Sequence, residues 1–238
     1  MRMRKEADIL RWLMFLAVFL YATVPLATAD QYWVAWEGND FPENEGWERV
    51  HGNWDGPGEG EATRSLVDGT MTVDSLFDNG VYDFSRSQMP GGFTVDPGET
   101  FVVRWALRVS TVVGSYDPAL GLYSDDDWGL ALRFGVDEID LPFENARVQF
   151  DPGEFHEFEI RTSDFRTYVL LIDGQVARAG AFWEPAVTAS YVAWGDGVQG
   201  AASLSTWDYF RFGVIPEPQT ALITGATLPL LFQQRRRR

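Results

Sequence analysis

The longest regular pattern in the sequence is an alternation of apolar and polar side chains between Phe101 and Thr111. Every second position is apolar, namely Phe101, Val103, Trp105, Leu107 and Val109, and polar residues between them include Arg104, Arg108 and Ser110. Successive side chains of a β-strand point to opposite faces of the sheet. The pattern therefore predicts a long antiparallel strand with one face buried.

Shorter segments repeat this period of two along the middle of the chain, whereas no amphipathic helical pattern stands out between Asp30 and Ile215. The segments run over Trp128 to Phe134, Ala146 to Phe150, Phe155 to Arg161, Arg166 to Ile172 and Thr206 to Phe212. We interpret each of them as a half-buried strand.

Turn residues separate these strands. Asp96-Pro97-Gly98 and Asp151-Pro152-Gly153 combine a proline of preset φ with a glycine that accepts positive φ. Asp173-Gly174 is a strong signal for a two-residue hairpin between the strand ending at Ile172 and Gln175 to Arg178. Many strands with regular turns predict an all-β domain, an antiparallel two-sheet β-sandwich or jelly roll.

Composition limits the classes of function. The apolar fraction of 45% is ample for a buried core, and the absence of cysteine excludes disulfides and thiolate metal sites. The net charge is -16, and many of the basic residues lie near the two ends, so the middle is more acidic still. Such a surface repels nucleic acid, which we therefore exclude as a partner, and favours cations and neutral, hydroxyl-rich ligands.

The first 29 residues predict a signal helix. A basic start with Arg2, Arg4 and Lys5 precedes an apolar run from Trp12 to Leu20. Small residues follow at the positions that a signal peptidase reads, Ala27 and Ala29. We expect cleavage after Ala29; an uncleaved membrane anchor is the alternative, for which the apolar run is short.

The far end contains three parts in a fixed order: a Pro-Glu-Pro motif, the apolar stretch from Ala221 to Phe232, and a basic end. The motif is Pro216, Glu217 and Pro218, and the basic end is Arg235, Arg236, Arg237 and Arg238. This tail resembles the PEP-CTERM sorting signal of Gram-negative bacteria. The resemblance implies transient residence in the inner membrane and processing by exosortase, a membrane protease. It further implies release to the cell surface or to the exopolysaccharide matrix of a biofilm.

Whether the tail is cleaved or anchors the protein stays open. Its apolar stretch would rise only ~18 Å as a helix, against a hydrocarbon core of ~30 Å. We therefore divide the chain into a signal peptide (1–29), a β-sandwich domain (30–214) and a sorting tail with a short apolar helix (215–238).

The order of strands in the middle domain carries a second resemblance. A Pro-Gly turn leads into Phe155 to Arg161, the next strand ends in Asp173-Gly174, and the domain closes on Trp207 to Phe212. This arrangement resembles the laminin G and concanavalin A-like lectin/glucanase superfamily. The resemblance implies two packed antiparallel sheets, one of them concave and often used to bind glycans or proteins.

One acidic segment invites a catalytic hypothesis. Glucanases of that superfamily carry Glu-x-Asp-x-Glu motifs whose outer carboxylates are nucleophile and acid/base, and Glu138 and Glu144 flank a related segment here. Pro142 interrupts the strand, and two glutamates six residues apart along a strand are ~20 Å apart at the backbone. An acidic, solvated loop is therefore the favoured interpretation, with hydrolysis as the alternative.

The two histidines point to no catalytic site. Gly-x-Ser-x-Gly, the motif that would accompany a Ser-His-Asp site, is absent. By its period, His156 shares the inner face with Phe158 and Ile160, so we expect a hydrogen-bonded core histidine.

Two further sets of residues are candidates for ligand contact. Asp125, Asp126 and Asp127 crowd carboxylates into one loop, which makes a Ca²⁺ site possible. Sugars stack on aromatic rings, and several of the ten tryptophans fall in or beside apparent loops. Core packing is the alternative for each ring; those we select as ligand contacts are Trp54, Trp128, Trp183 and Trp194.

The sequence favours an exported, non-catalytic β-sandwich module that binds a glycan, an exopolysaccharide or another surface component. A jelly-roll glycoside hydrolase and a purely structural matrix protein remain alternatives.

Overall fold

A computed structural model describes residues 31–53, 62–77, 81–88, 92–124, 128–184, 190–197 and 200–216. Apart from one short 3-10 helix at Pro42–Glu45, the regular elements of this part of the chain are strands. The strands are β1 (Gln31–Trp36), β2 (Glu48–Asn53), β3 (Thr63–Val67), β4 (Thr70–Asp74), β5 (Val81–Gln88), β6 (Glu99–Val113), β7 (Ala119–Ser124), β8 (Trp128–Phe134), β9 (Glu138–Leu141), β10 (Ala146–Gln149), β11 (His156–Thr162), β12 (Thr167–Ile172), β13 (Gln175–Ala181), β14 (Tyr191–Asp196) and β15 (Ala202–Pro216).

The strands form two antiparallel sheets. Sheet A has the order β13-β12-β11-β6-β15-β4-β3, and β1 also pairs with β15. Sheet B has the order β10-β9-β8-β7-β14-β5-β2. The apolar inner faces of the two sheets share one core, so the domain is the all-β sandwich that the sequence predicts.

The predicted long strand is β6, and it lies at the centre of sheet A between β11 and β15. Its inward residues Phe101, Val103 and Trp105 are fully buried, whereas Arg104 on the other face is partly exposed. β15 pairs with β6 along almost its entire length and adds buried rings at Trp207, Phe210 and Phe212. The alternation read from the sequence is confirmed.

The predicted turns are confirmed as well. Asp173 and Gly174 both have positive φ, 50° and 74°, and join β12 to β13 as a two-residue hairpin. The Asp173 carboxylate also binds His156: Nδ1 of the imidazole lies 2.7 Å from Oδ2. His156 is buried and its Nε2 lies 2.7 Å from the carbonyl oxygen of Asp151, so it is a hydrogen-bonded core histidine, as expected.

Two interpretations need correction. The acidic segment is not a loop throughout, because Glu138–Leu141 forms strand β9 and the turn begins only at Pro142. Trp194 lies within strand β14 and not in a loop; its ring is buried and packs at 5.2 Å from that of Trp36, the last residue of β1.

Other predicted features lie outside the described residues. They are the signal segment, including Ala27 and Ala29, and the part of the sorting tail from Glu217 through Arg235, Arg236, Arg237 and Arg238. Pro216 is the last residue of β15. Within the described part of the chain, no helix has the length and apolar character needed to cross a membrane.

A buried acidic pair lies inside one end of the sandwich. Asp117 accepts hydrogen bonds from the backbone N–H of Gly197 at 3.1 Å and the Ser203 hydroxyl at 2.7 Å. Asp196, at the end of β14, is fully buried and forms no ion pair with any described arginine. Its burial, together with the negative charge of Asp117, raises the pKa of Asp196 to about 9, so this carboxyl is protonated near neutral pH.

Asp196→Asn should remove a pH-dependent loss of stability. Between the ordinary pKa of 3.8 and the folded pKa of about 9, the unfolded chain releases a proton that the folded protein retains. The free energy of unfolding of the parent protein should therefore fall by up to about 1.4 kcal/mol per pH unit through this window, and more steeply than that of the variant. Urea denaturation at several pH values measures the difference.

Asp137→Asn is the matched control, because Asp137 is exposed. Its stability profile should run parallel to that of the parent protein. Parallel profiles for Asp196→Asn as well would contradict the raised pKa.

Candidate functional site

A cleft of about 200 Å³ lies on the outer face of sheet B, across its central strands. The lining comes mostly from outward-facing positions of β5, β7, β8 and β14, with one residue from the β9–β10 turn. Apart from one leucine and one arginine, the lining residues are small or aromatic, and they include Phe84, Ala119, Gly121, Tyr123, Ala131, Arg133, Phe143, Tyr191 and Ala193.

The floor of the cleft follows from strand register. Ala193 of β14 lies opposite Gly121 of β7, which in turn lies opposite Ala131 of β8. None of these residues has a side chain beyond Cβ, so the outer surface of sheet B is recessed where the three residues lie side by side. Gly121 also makes room for Tyr123, because a Cβ at position 121 would be 2.7 Å from Cε2 of that ring.

Aromatic rings form a wall at one end of the floor. The rings of Tyr123 and Tyr191 are 4.6 Å apart, and Trp183 meets Tyr123 edge-on at 5.7 Å. Phe143 stacks on Trp183 with 3.7 Å between centroids and remains 55% exposed. The cleft therefore offers adjacent ring surfaces to an apolar face of a ligand.

Backbone pairing fixes the position of Trp183. Its N–H donates to the carbonyl of Gly129 at 3.0 Å, and its own carbonyl accepts from the N–H of Gly129 at 2.9 Å. Gly129 lies in β8, directly opposite Tyr123. This isolated bridge attaches the segment after β13 to the end of the floor.

The tyrosine hydroxyls of the wall stay protonated. Burial raises the pKa of Tyr191 to about 12. Burial also raises the pKa of Tyr123, although the nearby guanidinium of Arg133 acts in the opposite direction. Both hydroxyls are therefore neutral near pH 7 and able to donate and accept hydrogen bonds.

The turn that carries Phe143 is held by its neighbour. The Glu144 carboxylate accepts a hydrogen bond from the hydroxyl of Tyr168, which lies on β12 of the other sheet. It also accepts from Arg178 of β13, at 2.5 Å from Nη2 and 3.1 Å from Nε. Glu144, a candidate catalytic residue by sequence, thus ties the β9–β10 turn to sheet A beside the cleft.

Glu138, its proposed catalytic partner, has different contacts. It accepts hydrogen bonds from the hydroxyl of Tyr116 at 2.5 Å and the amide of Gln149 at 2.6 Å, and Arg147 lies 3.4 Å away. The hydrogen bond from Tyr116 lowers the pKa of Glu138. Glu138 and Glu144 have no hydrogen-bond partner in common among the described residues, so the structure does not assemble them into one site.

The tryptophans selected from the sequence have different environments. Trp183 is part of the aromatic wall. Trp128 is half-buried, with the guanidinium of Arg166 over its ring at 5.7 Å. Trp194 borders the cleft, but its ring is 1% exposed and stacks on Phe210 at 5.0 Å in the core. Trp54 lies outside the described residues.

Asp125, Asp126 and Asp127 also lie outside the described residues, so the Ca²⁺ hypothesis stays a prediction. In the part of the chain that the structure covers, no three histidine or acidic side chains converge in a way that would hold a metal ion.

Sequence reasoning missed Tyr123, Tyr191, Phe143 and Arg133. A signal for Tyr123 exists in the strand pattern of β7. Outward positions of a solvated strand are normally polar, whereas β7 places Ala119, Gly121 and Tyr123 there. Small and aromatic residues at successive outward positions indicate a covered or ligand-binding face.

A larger and more open groove lies on sheet A, with a volume of about 800 Å³. Its lining includes Thr100, Arg161 and Val169. The one aromatic residue in this lining, Tyr168, uses its hydroxyl to bind Glu144. The groove on sheet A thus lacks the adjacent ring surfaces that distinguish the cleft on sheet B.

Glu144→Ala should lower the free energy of unfolding by about 1 to 3 kcal/mol, because it leaves the buried Tyr168 hydroxyl and Arg178 without their acceptor. The control is Glu138→Ala, whose partners Arg147 and Gln149 are exposed to solvent, so that this substitution should cost less than about 1 kcal/mol. Urea denaturation measures both. Equal losses for the two variants would show that Glu144 does not anchor the turn.

No protein-family model matches the sequence, and no curated protein matches it either. Solved structures do match. One is a carbohydrate esterase from the Shiga toxin-encoding bacteriophage phi24B, with a TM-score of 0.56 and 10% identity over 78% of this chain and 98% of that chain. Another is an endo-1,3-beta-glucanase from Streptomyces sioyaensis, with a TM-score of 0.51 and 13% identity over 72% of this chain and 90% of that chain. At such identities the likeness shows the fold alone, an antiparallel two-sheet β-sandwich of the jelly-roll type.

Proposed function

We propose that this protein is an exported, non-catalytic β-sandwich module that binds a glycan in the cleft of sheet B. The observation that carries the proposal is the aromatic wall of Tyr123, Tyr191, Trp183 and Phe143 beside a floor of Ala119, Gly121, Ala131 and Ala193.

The shape and chemistry of the cleft suit a sugar chain. Pyranose rings present flat C–H faces that pack on aromatic rings, and their hydroxyls exchange hydrogen bonds with groups such as Tyr123 and Tyr191. An open, shallow cleft accommodates the side of a chain better than a compact small molecule. A carbohydrate esterase and a glucanase are among the proteins of similar fold, which is consistent with a glycan ligand, although the similarity does not identify a substrate.

The absence of a carboxylate pair from the lining supports a binding role over hydrolysis. Glycosidases of this kind need two carboxyl groups about 5 to 9.5 Å apart across the scissile bond. No described residue that lines the cleft is an aspartate or a glutamate. Glu138 has a lowered pKa, the opposite of what a general acid requires, and Glu144 is engaged by Tyr168 and Arg178.

The cellular location in this proposal is inferred from the two ends of the sequence. A signal peptidase would act after Ala29, and an exosortase-type protease would act near Pro216, Glu217 and Pro218 after transient insertion in the inner membrane. The module would then reside at the cell surface or in the extracellular matrix, where exopolysaccharide is the available glycan.

Trp183→Ala should weaken glycan binding roughly tenfold, because it removes a stacking surface and the support of Phe143. Trp128→Ala is the matched control: it removes the same ring type, but Trp128 makes no ring contact with the described residues of the aromatic wall, so the affinity should stay unchanged. Isothermal titration calorimetry with β-1,3-gluco-oligosaccharides, following a polysaccharide panel screened with and without Ca²⁺, measures the effect.

Two outcomes would contradict the proposal. Release of reducing sugar by the parent protein but not by Glu138→Gln would establish the glycoside hydrolase. Failure to bind any polysaccharide in the panel would favour the purely structural matrix protein.

Export gives a separate prediction. Mass spectrometry of the protein recovered from the cell surface should find Asp30 at the N-terminus and a C-terminus near Pro218. A surface species that retains Arg235 to Arg238 would contradict cleavage of the tail, and one that retains Met1 would contradict removal of the signal segment.

A further inference from the structure

Arg133 differs from the other arginines of the described chain. Each of the others either forms an ion pair with a carboxylate or lies over an aromatic ring. Those with a carboxylate partner are Arg49, Arg64, Arg86, Arg104, Arg147, Arg161, Arg178 and Arg211, and those over a ring include Arg108 and Arg166. Arg133 forms neither contact with any described residue.

This lack of a partner stands out in so acidic a protein. The chain has 35 acidic residues against 19 basic ones, so carboxylates are in excess almost everywhere. Asp140 of the neighbouring strand β9 is opposite Arg133 in register, yet no ion pair within 4.0 Å joins them. A guanidinium with no carboxylate partner among the described residues has hydrogen-bond donors available to a ligand.

The position of Arg133 puts these donors in the cleft. It is half-buried on β8, opposite Ala119 of β7, and lines the cleft with the small residues of the floor. The positive charge of Arg133 acts to lower the pKa of Tyr123, which shows that the guanidinium lies near the aromatic wall. A ligand that stacks on the wall and runs along the floor would therefore reach Arg133.

We propose that the cleft recognises a sugar residue that carries a carboxylate, and that Arg133 binds this group. The inference rests on the glycan-binding function proposed above and adds the class of glycan, an acidic polysaccharide that contains uronic acid. A guanidinium presents parallel N–H donors that match the two oxygens of a carboxylate. No described residue that lines the floor is acidic.

The overall negative charge does not prevent this recognition. Charges beyond about 8 Å are largely screened at physiological ionic strength, so the groups at the cleft itself dominate contact with a short oligosaccharide. The other arginine near the wall, Arg86, lies 5.9 Å from the ring centroid of Tyr191 and is already paired with Glu48 at 2.7 Å. Arg133 is thus the cation of this cleft with free donors among the described residues.

The test compares an oligogalacturonate with its methyl ester, which keeps the sugar ring and removes the charge. Isothermal titration calorimetry on the full chain at fixed ionic strength should give a tighter Kd for the free acid by roughly tenfold or more. Arg133→Gln should abolish this difference by weakening binding of the free acid more than that of the methyl ester, and an unchanged midpoint of urea denaturation shows that the variant is folded. Arg133→Lys should keep only part of the preference, since it keeps the charge and loses the paired donors.

The outcomes separate this inference from the proposed function. Equal affinity of the parent protein for acid and ester, or a preference that survives Arg133→Gln, would overturn the role of Arg133 and leave glycan binding in place. A parent protein that binds neither oligosaccharide and no neutral glycan would overturn both.

Discussion

Burial of aromatic side chains between the two sheets is the interaction on which the rest of the structure depends. β6 and β15 form the centre of sheet A, and their inward rings meet those of sheet B; Trp194, for example, stacks on Phe210 at an interplanar angle of 5°. The chain has no cysteine, so no disulfide can stabilise the domain in place of this core. Since each ring buries a large apolar area, the packing fixes how the sheets lie against each other, and hence the shape of the outer face.

The core and the cleft are two sides of the same strands. In β7, Leu120 and Leu122 point inward and are buried, while Gly121 and Tyr123 point outward into the cleft. A register slip of one residue would exchange these two sets. The apolar requirement of the core therefore holds the ligand-facing residues in place, and the binding surface needs no separate scaffold.

Contacts between the sheets complete the site at its edge. Glu144 belongs to the β9–β10 turn of sheet B, yet its partners Tyr168 and Arg178 belong to sheet A. This link positions Phe143, which stacks on Trp183. A glutamate that a motif search would assign to catalysis instead supports an aromatic surface, and its neighbours in space, rather than in sequence, determine that role.

The sequence by itself determined the fold class, because strand alternation and turn chemistry are local: Phe101 to Thr111 and Asp173-Gly174 have the structure that their patterns predict. It also indicated that His156 belongs to the core. Only the tertiary structure decided the site. The cleft takes Tyr191, Tyr123, Arg133 and Phe143 from separate strands and a turn, and no local pattern encodes which strands become neighbours. Trp194 and Trp183 are equally conspicuous in the sequence, but sheet pairing buries the first and brings the second to the cleft, because burial is a property of the assembled sandwich.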